Sequence, residues 1–214
     1  MTADFEARRE RMVESQLAAR GIRDPRVLAA FRAVPRHRFV APDFWPDAYD
    51  DRPVPIGLGQ TVSQPYIVAH MAELLELSGT EKLLELGAGS GYAAAIFARL
   101  AREVCSIELE AALFERARDI LALLGVENVR LRRGDAFAGW PEAAPFDRIV
   151  ASAAMGAVPG PLLEQLRPGG WFLGPVGPGP SQRLTRIRRE GEGFTTEPLA
   201  PVLFVPLRSR REGA

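Results

Sequence analysis

The stretch that most constrains the fold is Leu83-Leu84-Glu85-Leu86-Gly87-Ala88-Gly89-Ser90-Gly91-Tyr92, an apolar run, three glycines at alternate positions and the start of a helical pattern. A short apolar run reads as a buried strand, and glycines let the backbone turn tightly from strand into helix while a ligand approaches it. The same alternation continues downstream. Strand-like runs at Lys82 to Leu86, Val104 to Glu108, Val129 to Arg132 and Phe146 to Ala151 are separated by helical patterns at Tyr92 to Leu100 and Ala111 to Leu124. Such alternation predicts a parallel sheet covered by helices. A further helix is expected over Pro161 to Leu166, and Pro168-Gly169-Gly170 is read as a turn into Trp171 to Val176. Leu184 to Arg189, a Gly191-Glu192-Gly193 turn and the closing Leu203 to Leu207 predict antiparallel strands at one edge. The expected fold class is α/β, a Rossmann-like sheet of about seven strands with its last strands antiparallel and an N-terminal helical layer.

That layer is legible in the first third of the chain. Residues 4 to 20 place Phe5, Met12, Val13 and Leu17 on a helical spacing, and Gly21 stands where a helix would stop. Asp24-Pro25 supplies an N-cap and a first-turn proline for a second helix through Ala33, which Pro35 ends. From Pro42 to Pro65 the chain is rich in proline, glycine and aromatics and has no strong period, so it reads as a long functional loop. Pro65 then opens a helical pattern running to about Leu77. At 214 residues the chain suits one domain burying roughly 70% of its unfolded surface. Within it, residues 1–77 would form the helices and a covering loop, and residues 78–214 the sheet.

Charge excludes several partners. Lys+Arg 27 against Asp+Glu 27 leaves no net charge to draw the chain to nucleic acid or an anionic membrane. The longest uncharged stretches are too short for a membrane span and are broken by proline and glycine. The N-terminal residues lack the apolar core of a secretory signal, so a cytoplasmic home is expected. The lone Cys105, in Val104-Cys105-Ser106-Ile107, reads as strand interior, and no His/Cys/Asp grouping has metal spacing. His37 and His70 are read as structural. The Arg183 to Arg189 cluster is read as a solvated strand face, and Gly191 to Gly193 with Arg208 to Arg211 as the mobile pieces.

Three acids stand at three successive strand ends. Glu108 lies twenty-one positions after Gly87, where a carboxylate can accept both hydroxyls of a ribose. The glycine spacing is G-x-G-x-G, not the G-x-G-x-x-G of dinucleotide enzymes, and Glu85 puts a negative charge where a pyrophosphate would be repelled. An S-adenosyl ligand, with its ammonium and sulfonium, tolerates that carboxylate. Asp135, in Arg133-Gly134-Asp135-Ala136, ends the next strand, where an acid can bond the exocyclic amine of an adenine.

With these residues in view the sequence resembles the protein-L-isoaspartate O-methyltransferases. The resemblance rests on Met12-Val13 with Gln16-Leu17 and Arg20-Gly21-Ile22, on Val34-Pro35-Arg36-His37 with Phe39-Val40, and on Tyr49-Asp50-Asp51. It rests further on Pro55-Ile56-Gly57, on Gly59-Gln60-Thr61-Val62-Ser63-Gln64-Pro65-Tyr66, on Gly139-Trp140-Pro141-Glu142, and on Pro201-Val202 with Phe204 to Leu207. The glycine loop is shared by many methyltransferases, whereas Gln60 to Pro65 is specific to this family.

The resemblance implies a class I methyltransferase sheet and methyl transfer from S-adenosylmethionine to the α-carboxylate of an L-isoaspartyl residue. The ester then closes to a succinimide that opens partly to normal aspartate. It implies Ser63 as the active-site residue, and Glu85, Gly87, Ala88, Gly89, Ser90, Gly91, Glu108, Leu109, Asp135 and Ala136 as cofactor-binding. Ile56, Gly57, Val62, Ser63 and Val205 would meet the substrate, isoaspartyl peptides and proteins. The chemistry agrees, because a carboxylate with a pKa near about 4 is already ionised at neutral pH and needs no general base. Two positions depart from the family pattern: Ala136 follows Asp135 where glycine is usual, and Met155-Gly156 stand where Pro-Glu is common, in a loop expected near the acceptor side. Rival readings are a methyltransferase of the same fold acting on another carboxylate or a small molecule, and a silent module that binds S-adenosylmethionine and isoaspartyl peptides without transfer.

Overall fold

The structure is a computed structural model that describes residues 4–209. The chain enters through α1 (Phe5–Met12), capped by the Asp4 carboxylate on the Ala7 N–H at 3.0 Å. The single helix expected over residues 4 to 20 changes winding twice. It widens to a π turn at Val13–Leu17 and tightens to a 3-10 turn at Ala18–Arg20, and Gly21 ends it at φ +97°. The wider turn keeps Met12, Val13 and Leu17 all within 1% exposure, on the core. Helix α2 (Pro25–Ala33) follows, with the Asp24 cap and first-turn proline as expected.

The Pro42 to Pro65 segment is more ordered than its composition suggested. It holds a 3-10 turn at Pro42–Asp47 and a hairpin, β1 (Val54–Gly57) with β2 (Gln60–Val62). Val54 and Ile56 alternate inward from β1, and Gly57, Leu58 and Gly59 turn the chain with φ of +92°, +55° and +69°. Helix α3 (Pro65–Leu74) begins immediately after Ser63 and Gln64.

From there strands and helices alternate: β3 (Lys82–Leu86), α4 (Tyr92–Ala98), β4 (Glu103–Glu108), α5 (Ala111–Leu123), β5 (Val129–Arg133), β6 (Phe146–Ala151) and the four-residue α6 (Gly160–Leu163). The helix expected to reach Leu166 ends early because Leu166 already pairs with Phe146. β7 (Leu166–Val176) therefore contains Pro168-Gly169-Gly170 as an irregularity inside the strand, not as a turn before it. β8 (Arg183–Glu190) and β9 (Gly193–Pro201) close the sheet, which runs β5-β4-β3-β6-β7-β8-β9. β3 to β7 are parallel, and β8 and β9 antiparallel. The chain winds outward from β3 through β5 and crosses back to β6, so the strand order reverses between β3 and β6, the place where open α/β sheets take their ligands.

Two expectations need correction. The edge partner of β8 is Gly193–Pro201, a mostly exposed strand without apolar period, and not Leu203 to Leu207. Leu203 to Leu207 instead crosses the carboxyl ends of the strands, where Ala154 N donates to the Val205 carbonyl and Leu207 N to the Ala154 carbonyl, both at 2.8 Å. The arginines of β8 are also not simply a solvated face. Arg186 and Arg188 stand 5.5 and 4.6 Å from the Trp171 ring, which Arg148 covers at 3.2 Å, and the Arg186 side chain is 16% exposed. Arg210 and Arg211 lie outside the described residues.

One apolar cluster joins the N-terminal helices (Leu17, Phe31, Phe39) to the α4 face of the sheet (Tyr92, Phe97, Val104), and a second lies on the other face (Leu84, Phe146, Ile149, Phe172). Cys105 is buried in β4 and, with the nearby Glu103, that burial pushes its thiol up to about 11. His37 bonds the Tyr49 hydroxyl at 2.8 Å and stacks on Phe5 at 4.0 Å, a packed aromatic cluster away from the glycine loop.

Candidate active site

The loop after β3 requires its glycines. Gly87, Gly89 and Gly91 sit at φ of +85°, +56° and +85°, which side-chain-bearing residues avoid. A Cβ at Gly87 would stand 3.1 Å from Leu207, and one at Gly91 3.3 Å from Ala117 of α5. The loop is thus pressed between the C-terminal segment, the hairpin and α5.

The loop amides are mostly not free for an anion, contrary to the simplest reading of a glycine loop at a helix start. Gly87 and Ala88 donate to the Ile107 carbonyl at 2.9 and 3.0 Å, Gly91 to Ala88, and Gly89 to Glu108 Oε2 at 2.7 Å. Glu108 also accepts the Glu110 N–H at 2.9 Å, is 6% exposed, and is raised above the usual carboxylate range by burial, opposed by these backbone bonds. Its carboxylate lines a cavity with Gly87, Gly89, Leu109, Ala136 and Ser152. An adjoining cavity, lined by Ser63, Gly87, Ala88, Gly89, Ser90 and Tyr92, has no charged wall. Committed amides with an acidic wall suit a cationic nucleoside and repel a pyrophosphate. The donor set therefore fits S-adenosylmethionine.

Glu85 and Asp135 stand behind these walls. Glu85 is fully buried, accepts the Ser106 and Ser152 hydroxyls at 2.5 and 3.0 Å, and is pushed up to about 7 by burial. It reaches the cavities through Ser152, which lines both. Asp135 caps the turn Ala136–Ala138 through the Phe137 N–H at 3.0 Å and accepts the Ser209 hydroxyl at 2.7 Å. Of this pair, Ala136 is the cavity wall.

Ser63 joins β2 to α3 and lines both the uncharged cavity and a larger cleft of about 490 Å³. The cleft is walled by Arg20, Pro53, Tyr66, Ile67 and the segment Pro201 to Val205. The Asp51 carboxylate holds its floor, accepting Gln64 Nε2 at 2.7 Å and the Tyr66 N–H at 3.1 Å and pairing with Arg20, which lies 3.7 Å over the Tyr66 ring. Gln182 clamps the roof, accepting the Phe204 N–H at 2.7 Å and donating to its carbonyl at 3.0 Å.

Of the expected substrate residues, Val62, Ser63 and Val205 line these cavities. Ile56 lies beneath, against Gly89, and Gly57 is exposed at the hairpin turn. Met155 is 1% exposed and Gly156 faces open space, and neither lines the cleft, although the preceding Ala154 is bonded to Val205 of its wall. Sequence reasoning missed Thr61, which lines all three cavities, and Ser152. Thr61 falls within the Gln60 to Pro65 motif, whereas a serine after a buried strand carries no comparable signal. Among the described residues no group of His, Cys, Asp and Glu is placed to hold a metal, and no helix is long and apolar enough to cross a membrane.

The chain's relatives are consistent in kind. Protein-L-isoaspartate O-methyltransferase 2 of Anaeromyxobacter sp. (strain Fw109-5) is 57% identical over 205 residues, covering 95% of this chain and 84% of the relative. Protein-L-isoaspartate O-methyltransferase of Methanoregula boonei is 50% identical over 199 residues, covering 93% of this chain and 92% of the relative. A solved protein-L-isoaspartate O-methyltransferase matches with a TM-score of 0.84 at 27% identity, over 92% of this chain and 65% of that one. A Plasmodium falciparum structure containing S-adenosyl-L-homocysteine shares the fold, with a TM-score of 0.78 at 23% identity over 93% of this chain and 97% of that one. The family model for protein-L-isoaspartate(D-aspartate) O-methyltransferase matches residues 7–212, and the chain belongs to that family.

Proposed function

We propose that this chain moves the methyl group of S-adenosylmethionine to the α-carboxylate of L-isoaspartyl residues in damaged proteins. One observation carries the reading. Ser63 is common to the uncharged cavity at the glycine loop and to the larger cleft, so one hydroxyl can meet both reactants.

When bound, S-adenosylmethionine supplies an electrophilic methyl group on a positively charged sulfur. The chain's own residues then have limited work, because the acceptor carboxylate arrives ionised. Glu108 would hold the ribose, the loop Gly87 to Gly91 would back the sulfur, and Leu109 and Ala136 would border the adenine, with Asp135 bracing the turn that presents Ala136. Glu85 acts through Ser152. Ser63 donates one hydrogen bond to the acceptor carboxylate and helps hold it in line, one part of a positioning effect that for a whole site reaches about 7 to 11 kcal/mol. Val62 and Phe204 exclude water from the junction of the two cavities, which leaves the anion more nucleophilic. Residues 1–77 cover the acceptor side and residues 78–214 hold the nucleoside. The larger cleft mixes apolar walls with Arg20, Thr61, Gln64 and Tyr66, which suits an acceptor with both an apolar backbone and polar groups. A single buried cysteine accords with a cytoplasmic home.

The test is incubation with tritiated S-adenosylmethionine and a peptide carrying L-isoaspartate, beside its aspartate twin and, separately, a small carboxylic acid. Base-labile label in the isoaspartyl peptide alone supports the reading. Label in neither, despite measurable cofactor binding, replaces it with a silent binding module, and label confined to a small carboxylic acid replaces the acceptor class.

A further inference from the structure

The hairpin whose second strand runs into Ser63 is tied to the nucleoside side of the site by two arginines. Arg116, on α5, donates from Nη1 to the Ile56 carbonyl at 2.8 Å. Arg208, in the C-terminal segment, donates from Nη2 to the Leu58 carbonyl at 2.6 Å while its Nη1 pairs with Glu110 at 2.8 Å. Glu110 is the residue before α5, and its own N–H is held by Glu108. Leu58 is an unusual place for such a bond. It is a non-glycine residue at φ +55°, half exposed, between two glycines that also have positive φ. A leucine in that conformation costs energy that its own exposed side chain does not return, so the turn needs a partner from outside the hairpin. The guanidinium of Arg208 is that partner, and the same side chain forms part of the cavity wall beside Glu108, Leu109 and Gln60.

We propose that Arg208, assisted by Arg116, is a positioning residue that fastens the hairpin turn over the nucleoside cavity and so fixes β2, the strand that leads into Ser63. The fastening links the two halves of the site. Its Glu110 end is one residue from Leu109 and two from Glu108, and its Leu58 end is two residues from Gln60. A hairpin with only three paired positions has little stability alone, so the external bonds decide how often it opens. The functional weight of this fastening rests on the role proposed for Ser63, but its physical content does not.

The test uses the full chain in four forms: wild type, Arg208→Ala, Arg208→Lys and Arg116→Ala. Amide hydrogen exchange is followed without ligand, and dissociation of S-adenosylhomocysteine is followed by stopped flow. In Arg208→Ala, exchange at residues 54–62 rises on the order of tenfold while the β3 to β6 strands stay protected, and S-adenosylhomocysteine leaves faster by a similar factor. Arg208→Lys keeps the pairing to Glu110 but loses the forked donor, and falls between. Arg116→Ala loosens the hairpin with a smaller change in release. Unchanged exchange in the hairpin overturns the proposal, as does an equal rise throughout the sheet, which would mark general instability. Full activity in Ser63→Ala with a loosened hairpin in Arg208→Ala would remove the role of Ser63 and leave the fastening intact.

Discussion

Glu85 Oε1 accepts the Ser152 hydroxyl at 3.0 Å from a carboxyl group that is fully buried and has no cation beside it among the described residues. The arrangement joins β3, an interior strand of the sheet, to a serine that walls both cavities at the glycine loop. It also makes a buried acid part of the stability ledger.

Burial raises Glu85 from an ordinary 4.5 to about 7. Between these values the folded chain keeps a proton that the unfolded chain releases, so stability falls as pH rises through that window, by on the order of 3 kcal/mol. Glu85→Gln removes this slope. Urea midpoints at pH 5 and pH 8 check it, and a variant whose midpoint falls as steeply as wild type would disprove the assignment.

His37 acts with the opposite sign. Burial, with Arg38, Arg9 and Arg8 nearby, lowers it to about 4. The unfolded chain then binds the proton first, so stability is lost as pH falls from the ordinary 6.5 towards 4. His37→Phe should flatten the acid limb of the melting profile while lowering stability at neutral pH, because the Tyr49 hydroxyl loses its partner. Calorimetric Tm values from pH 4 to 7 are the measurement, and an acid limb of unchanged steepness would rule out His37 as its source.

Ser63→Ala should lower kcat on the order of a hundredfold, the loss expected when a reacting group is misplaced by about an ångström. Its dissociation constant for S-adenosylmethionine should stay within about twofold, because the hydroxyl serves the acceptor. Initial rates on an isoaspartyl peptide together with calorimetric titration separate the two effects, and equal losses in both would make Ser63 a cofactor residue.

Gly87→Ala should cost about 1 to 2 kcal/mol, since the residue sits at φ +85°. The added methyl would stand 3.1 Å from Leu207, pushing the C-terminal segment outward and weakening cofactor binding as well. Gly79→Ala, also at positive φ but with nothing near, is the control that should lose stability without losing affinity. Equal affinity losses in the two variants would contradict the packing argument.

Much of this site was legible from residue types. A left-handed turn between an apolar strand and a helix needs glycine, so the loop at Gly87 to Gly91 is visible in the sequence, and so is a carboxylate at the end of the next strand. The hairpin at Val54 to Val62 was not, because strands of four and three residues interrupted by Pro55, Gly57 and Gly59 show no period. β9 was missed for the converse reason. An exposed edge strand alternates nothing apolar, while the apolar Leu203 to Leu207 looked like the strand that it is not. Glu85 and Asp135 were placed at the right strand ends, but only the fold reveals that hydroxyls from Ser106, Ser152 and Ser209 meet them.

The outermost strand also governs how the protein behaves in company. β9 carries Glu197 in its middle and lacks an amide hydrogen at Pro198 and Pro201, and most of its residues face water. A neighbouring chain seeking to extend the sheet would meet a strand interrupted by prolines, its one carboxylate already paired with Arg186 of β8 at 3.6 Å. The border of the sheet therefore offers an added strand little hold, even though β9 ends at Pro201 in the wall of the larger cleft.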